Sequence, residues 1–119
     1  MSMTYISSKD IIIAYMKCNK SDKMTVHDAC NIFDYINIEL ELSGKTDDYS
    51  ISSVNEYSIG GIVEYNSDIF EIDPDKEYIR LRNTNYVNEI NVDNLVSDEI
   101  YNIIKRFTEG SKGKCNNGN

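Results

Sequence analysis

The chain has 119 residues, a hydrophobic share of 40% and a formal net charge of −8, which is the size and composition of one folded domain. The apolar run at 11–16 is too short for a membrane span or a signal sequence core, and the three cysteines lack the close pairing of a disulfide framework or a typical zinc site. These features predict a single cytoplasmic domain over residues 1–110 and no membrane partner.

Two capped helices are predicted in the first third of the chain. Ser7-x-x-Asp10 has the form of a capping box and precedes an apolar stripe, which predicts a helix over 8–18. Thr25-x-x-Asp28 opens a second helix in the same way, with apolar residues at the spacing of one buried face. The polar, lysine-rich residues between the two helices indicate a connecting turn.

Residues 36–42 alternate strictly between apolar and polar side chains, which predicts a half-buried strand. The alternative is that the second helix continues, in which case Ile38 and Leu42 would leave its buried face. A polar loop over 43–48 follows in either case.

The stretch 50–72 is interpreted as a short helix followed by a hairpin. The serines of 50–57 favour a helix, although a strand stays open, and Gly60-Gly61 then supplies a residue that can end it in the left-handed conformation. Brief apolar runs at 62–65 and 69–72 predict two strands, joined by the polar triplet Asn66-Ser67-Asp68.

A further strand and a last helix complete the predicted elements. Proline in 73–76 indicates a turn, and the alternation over 77–82 indicates a third strand of one meander. After a loop or edge strand over 83–91, Asp93 or Ser97 caps a helix that Gly110 ends. The glycine- and asparagine-rich tail, 111–119, is predicted to be disordered.

Together these elements predict an α+β domain of three helices with a small antiparallel sheet. SKDIIIAYMK followed by KMTVHDACNIF resembles the first two helices of winged helix-turn-helix domains, and GGIVEYNSDIFEI resembles the wing that follows their recognition helix. The resemblance implies a winged-helix-like fold, and it covers residues 8–33 and 50–72.

The sequence departs from that family in two places. Residues 34–49 lengthen the connection from the second to the third helix, and no lysine or arginine lies between Thr46 and Lys76. Family members that read DNA carry basic residues or asparagine on the third helix and basic residues in the wing. The resemblance therefore implies either a scaffold turned toward protein recognition or DNA binding through other elements.

No catalytic or cofactor motif is present. His27 with Cys18, Cys30 and Cys115 has the composition of a zinc site but not its spacing. No serine, threonine or cysteine has a plausible base partner, and no glycine-rich loop precedes a helix. We therefore expect a protein that is not an enzyme and that holds no metal and no cofactor.

Charge and aromatic content favour a protein partner. Residues 25–100 carry seventeen acidic residues against four basic ones, a distribution that repels phosphate and attracts a basic protein. Tyrosines among these acids provide contact area at low entropic cost. The expected interaction residues are Glu56, Tyr57, Glu64, Tyr65, Asp68, Glu71 and Tyr78.

The alternative is a nucleic-acid-binding regulator of transcription or replication that uses basic residues near the two ends of the chain. Its binding residues would be Lys17, Lys20, Lys23, Lys105, Arg106, Lys112 and Lys114. In that reading the acidic side faces a protein partner or the second subunit of a homodimer.

Overall fold

The structure, a computed structural model, describes residues 3–83 and 85–117, with side chains described as far as Gly110. It is an α+β domain in which helices pack against a small antiparallel sheet. The strands are β1 (Thr4–Tyr5), β2 (Lys23–Thr25), β3 (Tyr49–Ser50), β4 (Phe70–Ile72) and β5 (Tyr78–Leu81). The helices are α1 (Ser8–Asn19), α2 (Val26–Leu42), α3 (Glu56–Tyr65), α4 (Tyr86–Glu89) and α5 (Asp98–Asn117), with a 3-10 turn at Val92–Asn94.

The first two helices begin at the predicted caps. The Ser7 hydroxyl accepts from the Asp10 N–H at 3.1 Å, and the Thr25 hydroxyl accepts from the Asp28 N–H at 3.0 Å, so each satisfies a backbone donor that the first helical turn leaves free. Lys20 ends α1 in the left-handed conformation, with φ of 53°. β2 lies where a polar turn was predicted.

The predicted strand over 36–42 is wrong, because α2 continues through this segment to Leu42. Ile36 and Leu40 are one helical turn apart and both are buried, so they extend the inward face of the helix. The same arrangement leaves Ile38 54% exposed and Leu42 79% exposed. The polar loop predicted after this segment is confirmed.

β2, β5 and β4 form one antiparallel sheet in that order. The register pairs Met24 with Ile79 and Ile79 with Ile72, so these side chains point to one face of the sheet. On that face Met24 and Ile79 belong to the buried core. The opposite, outer face carries Lys23 and Arg80.

Of the three strands predicted over 62–82, the structure forms the second and the third, and a helix takes the place of the first. α3 covers 56–65 and the chain enters β4 only at Phe70, so the predicted helix over 50–57 and the predicted strand over 62–65 are both wrong, whereas the strand over 69–72 is nearly correct. The connecting turn is the predicted one at 73–76, where the Asp73 carboxylate accepts from the N–H groups of Glu77 and Tyr78 at 2.8 and 3.3 Å. The triplet 66–68 instead follows the end of α3.

The glycine pair does not end a helix. Gly60 and Gly61 lie inside α3, and neither has positive φ. Among the glycines of the described chain the left-handed conformation is found at Gly44, with φ of 70°. A predicted helix end at Gly60-Gly61 is therefore corrected to the interior of α3, whose C-terminal cap is Asn66.

α5 closes the domain on the side of α1 and α2. The Ser97 hydroxyl accepts from the Ile100 N–H at 3.3 Å, which makes Ser97, and not Asp93, the cap of this helix. Gly110 does not end α5: the helical backbone runs on to Asn117, within the segment predicted to be disordered, and residues 118–119 lie outside the described chain. The Phe107 ring packs against Tyr15 and Tyr35, with centroids 6.1 and 5.3 Å away.

The segment between α2 and α3 contacts residues from both the beginning and the end of the chain. β3 pairs in parallel with β1, so the start of the chain runs beside the connection that leads to α3. Lys45 forms an ion pair with Glu99 of α5, and this contact holds the pKa of the Glu99 carboxyl below its ordinary value. The pairing of β1 with β3 places the residues before α1 next to α3.

Candidate functional site

α3 divides sharply into a buried and an exposed face. Its start is fixed by Asn55, whose side-chain oxygen accepts from the N–H groups of Tyr57 and Ser58 at 3.0 Å each. Ile59 and Val63 face the core. On the other side Tyr57 and Tyr65 are 92% and 90% exposed. Two large aromatic side chains on one short helix are thus almost wholly in solvent.

The exposed face of α3 is also acidic. Glu56 and Glu64 are both exposed, and neither forms an ion pair within the described part of the chain. The helix therefore combines apolar contact area with two unpaired carboxylates, although Lys76 lines the same groove as Glu56. Such a surface attracts cationic groups and repels phosphate.

Two glycines lie between the two tyrosines. Gly60 and Gly61 are exposed, and a Cβ placed on either would have no contact within 4 Å in the described chain apart from its neighbouring residues and the backbone of α3 itself. Tyr57, Gly61 and Tyr65 are spaced by four residues, so they follow one line along the helix. The exposed surface of α3 therefore projects outward at the two tyrosines and is depressed at the glycines between them. We call this low point the glycine saddle.

A groove lies on each side of the glycine saddle. The larger, of about 740 Å³, separates α3 from the β4–β5 turn and the start of α2, and Val26, Ile59 and Tyr78 contribute to its lining. We call it the hairpin groove. The smaller, of about 450 Å³, separates α3 from the residues around the start of α1. We call it the amino-terminal groove.

The structure brings together four of the seven predicted interaction residues. Glu56, Tyr57, Glu64 and Tyr65 share the exposed part of α3, and Asp68 is exposed in the turn that follows. This grouping arises because 56–65 is a helix. In the predicted arrangement Glu56 and Tyr57 would have ended a short helix, while Glu64 and Tyr65 would have lain in a strand.

The other two predicted interaction residues, Glu71 and Tyr78, lie on the outer face of the sheet among basic side chains, although Tyr78 also contributes to the lining of the hairpin groove. Glu71 is paired across the strands with Arg80 and lies 3.4 Å from the Arg82 guanidinium. The Tyr78 ring has Lys23 at 4.8 Å and Arg80 at 5.7 Å from its centroid. This part of the predicted surface is therefore not purely acidic.

Tyr5 and the glycine saddle were missed by the sequence interpretation. Tyr5 is 69% exposed and lines the amino-terminal groove together with Gly61 and Tyr65. The local sequence does not indicate that Tyr5 lies near α3. Tyr5 reaches this position because β1 pairs with β3, a contact between distant parts of the chain. The sequence does contain a pattern that indicates the saddle, namely tyrosine, glycine and tyrosine at intervals of four residues. This pattern is informative only if the segment is known to be helical.

The basic residues of the alternative reading are engaged in different places. The Lys17 ammonium donates to the Val87 carbonyl at 2.7 Å, and the Arg106 guanidinium donates to Glu39 at 2.7 Å. Lys20 caps α1 and Lys23 lies over Tyr78, while Lys105 is exposed on α5. The side chains of the two remaining lysines, Lys112 and Lys114, lie outside the described part of the chain.

In the described chain, no three His, Cys, Asp or Glu side chains are grouped where they could hold a metal ion. Cys18 and Cys30 are free thiols, and the side chain of Cys115 is not described. Across residues 3–83 and 85–117, no helix has the length and apolar character needed to cross a membrane.

Comparison with known proteins gives no family assignment. No protein-family model, no curated protein and no solved structure matches the chain.

Proposed function

We propose that this protein is a winged-helix-type interaction domain that binds a basic protein through the exposed face of α3. It acts as a regulator or inhibitor of that partner and not as an enzyme. The free thiols of Cys18 and Cys30 support a reducing, cytoplasmic setting.

The order of elements supports the winged-helix assignment. α1, β2, α2, α3 and the β4–β5 hairpin follow one another as helix, strand, helix, helix and hairpin, and β2 joins the hairpin to make one sheet. In this scheme α3 takes the place of the recognition helix and the β4–β5 hairpin takes the place of the wing. The segment between α2 and α3, which contains β3, is the departure from the family pattern.

The observation that carries the proposal is the chemistry of α3 itself. The helix in the recognition position exposes Tyr57 and Tyr65 almost completely beside Glu56 and Glu64. Exposed aromatic side chains are enriched at protein interfaces, and flanking carboxylates select partners of opposite charge. A DNA-reading helix needs the reverse charge, because phosphate contacts supply most of the affinity for DNA.

Charge reversal on α3 tests the proposal. Wild-type protein and the double variant Glu56→Lys with Glu64→Lys are used to capture proteins from an extract of the native host, and bound proteins are quantified by mass spectrometry. We expect one or more basic proteins to be captured by the wild type and reduced at least tenfold with the variant.

A matched variant controls for net charge. Glu41→Lys with Glu89→Lys makes the same change in charge at exposed positions of α2 and α4, and it is expected to capture as the wild type does. Equal loss with both double variants would assign capture to overall charge. Undiminished capture by the α3 variant would contradict the proposed function.

A further inference from the structure

We propose that a basic α-helix of the partner crosses α3 at the glycine saddle, between Tyr57 and Tyr65, and places side chains in the grooves on either side. This inference rests on the proposed function and specifies the form of the partner and its point of closest approach.

The fold of this chain does not itself require glycine at 60 or 61. Neither residue has positive φ, both are exposed, and apart from its neighbouring residues and the backbone of α3 itself nothing in the described chain lies within 4 Å of the position that a Cβ would take. Glycine inside a helix lowers the stability of that helix relative to almost any other residue. The free space at the saddle is therefore not used within the described chain, and it is available to the backbone of another molecule.

The two grooves make the saddle a crossing point. The hairpin groove includes Gly60 in its lining and the amino-terminal groove includes Gly61, so the two cavities meet α3 on opposite sides of its lowest point. Helices ordinarily pack with their axes 8–10 Å apart, a spacing set by the side chains at the contact. Without side chains at the crossing the partner comes closer, and its flanking side chains then reach both grooves.

The backbone of α3 favours a helical partner over an extended one. The N–H and C=O groups within α3 are bonded inside the helix, so α3 offers side chains and grooves but no free edge for an added strand. Recognition by addition of a strand depends on such an edge, whereas a helix docks through side chains that enter grooves. The apolar side chains of the hairpin groove, among them Val26, Ile59 and Ile72, suit the apolar face of such a helix.

Charge identifies the partner as basic and as a different protein. Glu56 and Glu64 are exposed beside the saddle and are complementary to lysine or arginine on the crossing helix. A second copy of this chain docked through α3 would bring the same carboxylates together, and like charges across an interface are unfavourable.

A displayed library of helical bundles with one randomised surface helix provides a probe that needs no knowledge of the natural partner. Binders are selected on the wild-type protein and then titrated against Gly60→Gln with Gly61→Gln. Glutamine is a good helix former and is uncharged, so the variant should unfold at a higher denaturant concentration while filling the saddle. We expect the selected helices to be rich in lysine and arginine. They should bind the Gly60→Gln with Gly61→Gln variant at least tenfold more weakly than the wild type.

Gly110→Gln is the matched control, because Gly110 is also an exposed helical glycine whose added Cβ would have no contact within 4 Å in the described chain beyond its neighbouring residues and its own helix backbone. It lies on α5, away from the saddle, and should be more stable than the wild type with unchanged affinity. Helices that bind the Gly60→Gln with Gly61→Gln variant as tightly as the wild type would overturn the proposed crossing. It would also be overturned if the wild-type protein self-associates and this variant does not.

The test separates this inference from the proposed function. If the selected helices bind the glutamine variant normally but bind Glu56→Lys with Glu64→Lys more weakly, the proposed crossing is overturned and the acidic face of α3 stays the binding site. Helices that are indifferent to both changes would overturn both proposals.

Discussion

Among single residues, Tyr15 shows how a polar group is used inside this domain. The side chain is 7% exposed, and its hydroxyl donates to the Asp28 carboxylate at 3.0 Å. Burial, followed by the negative charge of Asp28, raises the pKa of Tyr15 well above its ordinary value. Because Asp28 lies in the first turn of α2, this contact joins α1 to the start of the next helix.

Replacing Tyr15 with phenylalanine should lower stability at neutral pH and flatten its decline in alkali. The lost bond to a carboxylate costs about 1.5–3 kcal/mol. A raised pKa means that the folded state holds the phenolic proton more tightly than the unfolded state does. The stability that Tyr15 contributes is therefore complete below the ordinary tyrosine pKa of about 10 and falls as the pH rises above it.

Urea denaturation at pH 7 and at about pH 10.5 measures the effect of the Tyr15 change. Tyr57→Phe serves as the control, because Tyr57 is 92% exposed and should alter neither curve appreciably. If Tyr15→Phe loses as much stability between the two pH values as the wild type does, the raised pKa is contradicted.

At the scale of elements, the caps could be predicted from sequence and the helix-or-strand choice could not. Ser7 and Thr25 act on backbone groups three residues away, so the short motif contains all the information that it needs. The segment 36–42 satisfies a strand and a helix alike, since a period of two also places Ile36 and Leu40 four residues apart. Its outcome is settled by the contact of α2 with α3 and α5, which no local pattern contains.

Paired alanine substitutions in α2 distinguish its two faces. Ile36 is fully buried, and Ile36→Ala should cost about 2–4 kcal/mol through lost burial and the cavity left behind. Ile38 is 54% exposed, and Ile38→Ala should change stability by less than about 0.5 kcal/mol. Chemical denaturation of both variants provides the measurement. In a half-buried strand the two residues would share one face, so equal costs would contradict the helix.

The candidate site shows the same division between local and tertiary information. The acidic and aromatic character of 56–65 is visible in the sequence, and so is the absence of basic residues around it. The asparagine at position 55, which caps α3, competes in the sequence with a glycine pair and a polar triplet that are typical of a turn. The position of Tyr5 beside α3 depends on the pairing of β1 with β3, and the grooves exist only once α1, α2 and the hairpin are packed.

For the whole molecule, charge distribution is the property that favours the proposed protein partner over nucleic acid. The net charge is −8, and two of the acids are exposed on α3, which in the proposed winged-helix scheme is the helix that would meet the DNA. Screening reduces this repulsion beyond roughly 8 Å in physiological salt, so only the acids close to a bound phosphate matter. Glu56 and Glu64 are the exposed acids on α3 itself.

Titration of a labelled DNA duplex tests the repulsion directly. At a salt concentration of about 150 mM the wild type should show no binding, whereas Glu56→Lys with Glu64→Lys should gain weak affinity that falls as salt is raised. The new lysines would displace counterions from the duplex, and this release yields less free energy at higher salt. Glu41→Lys with Glu89→Lys has the same net charge and should gain much less if the position of α3 matters. Salt-sensitive binding by the wild type that is lost when Lys20, Lys23 and Lys105 become alanine would instead support a DNA-binding regulator, since those lysines belong to the basic set near the two ends of the chain.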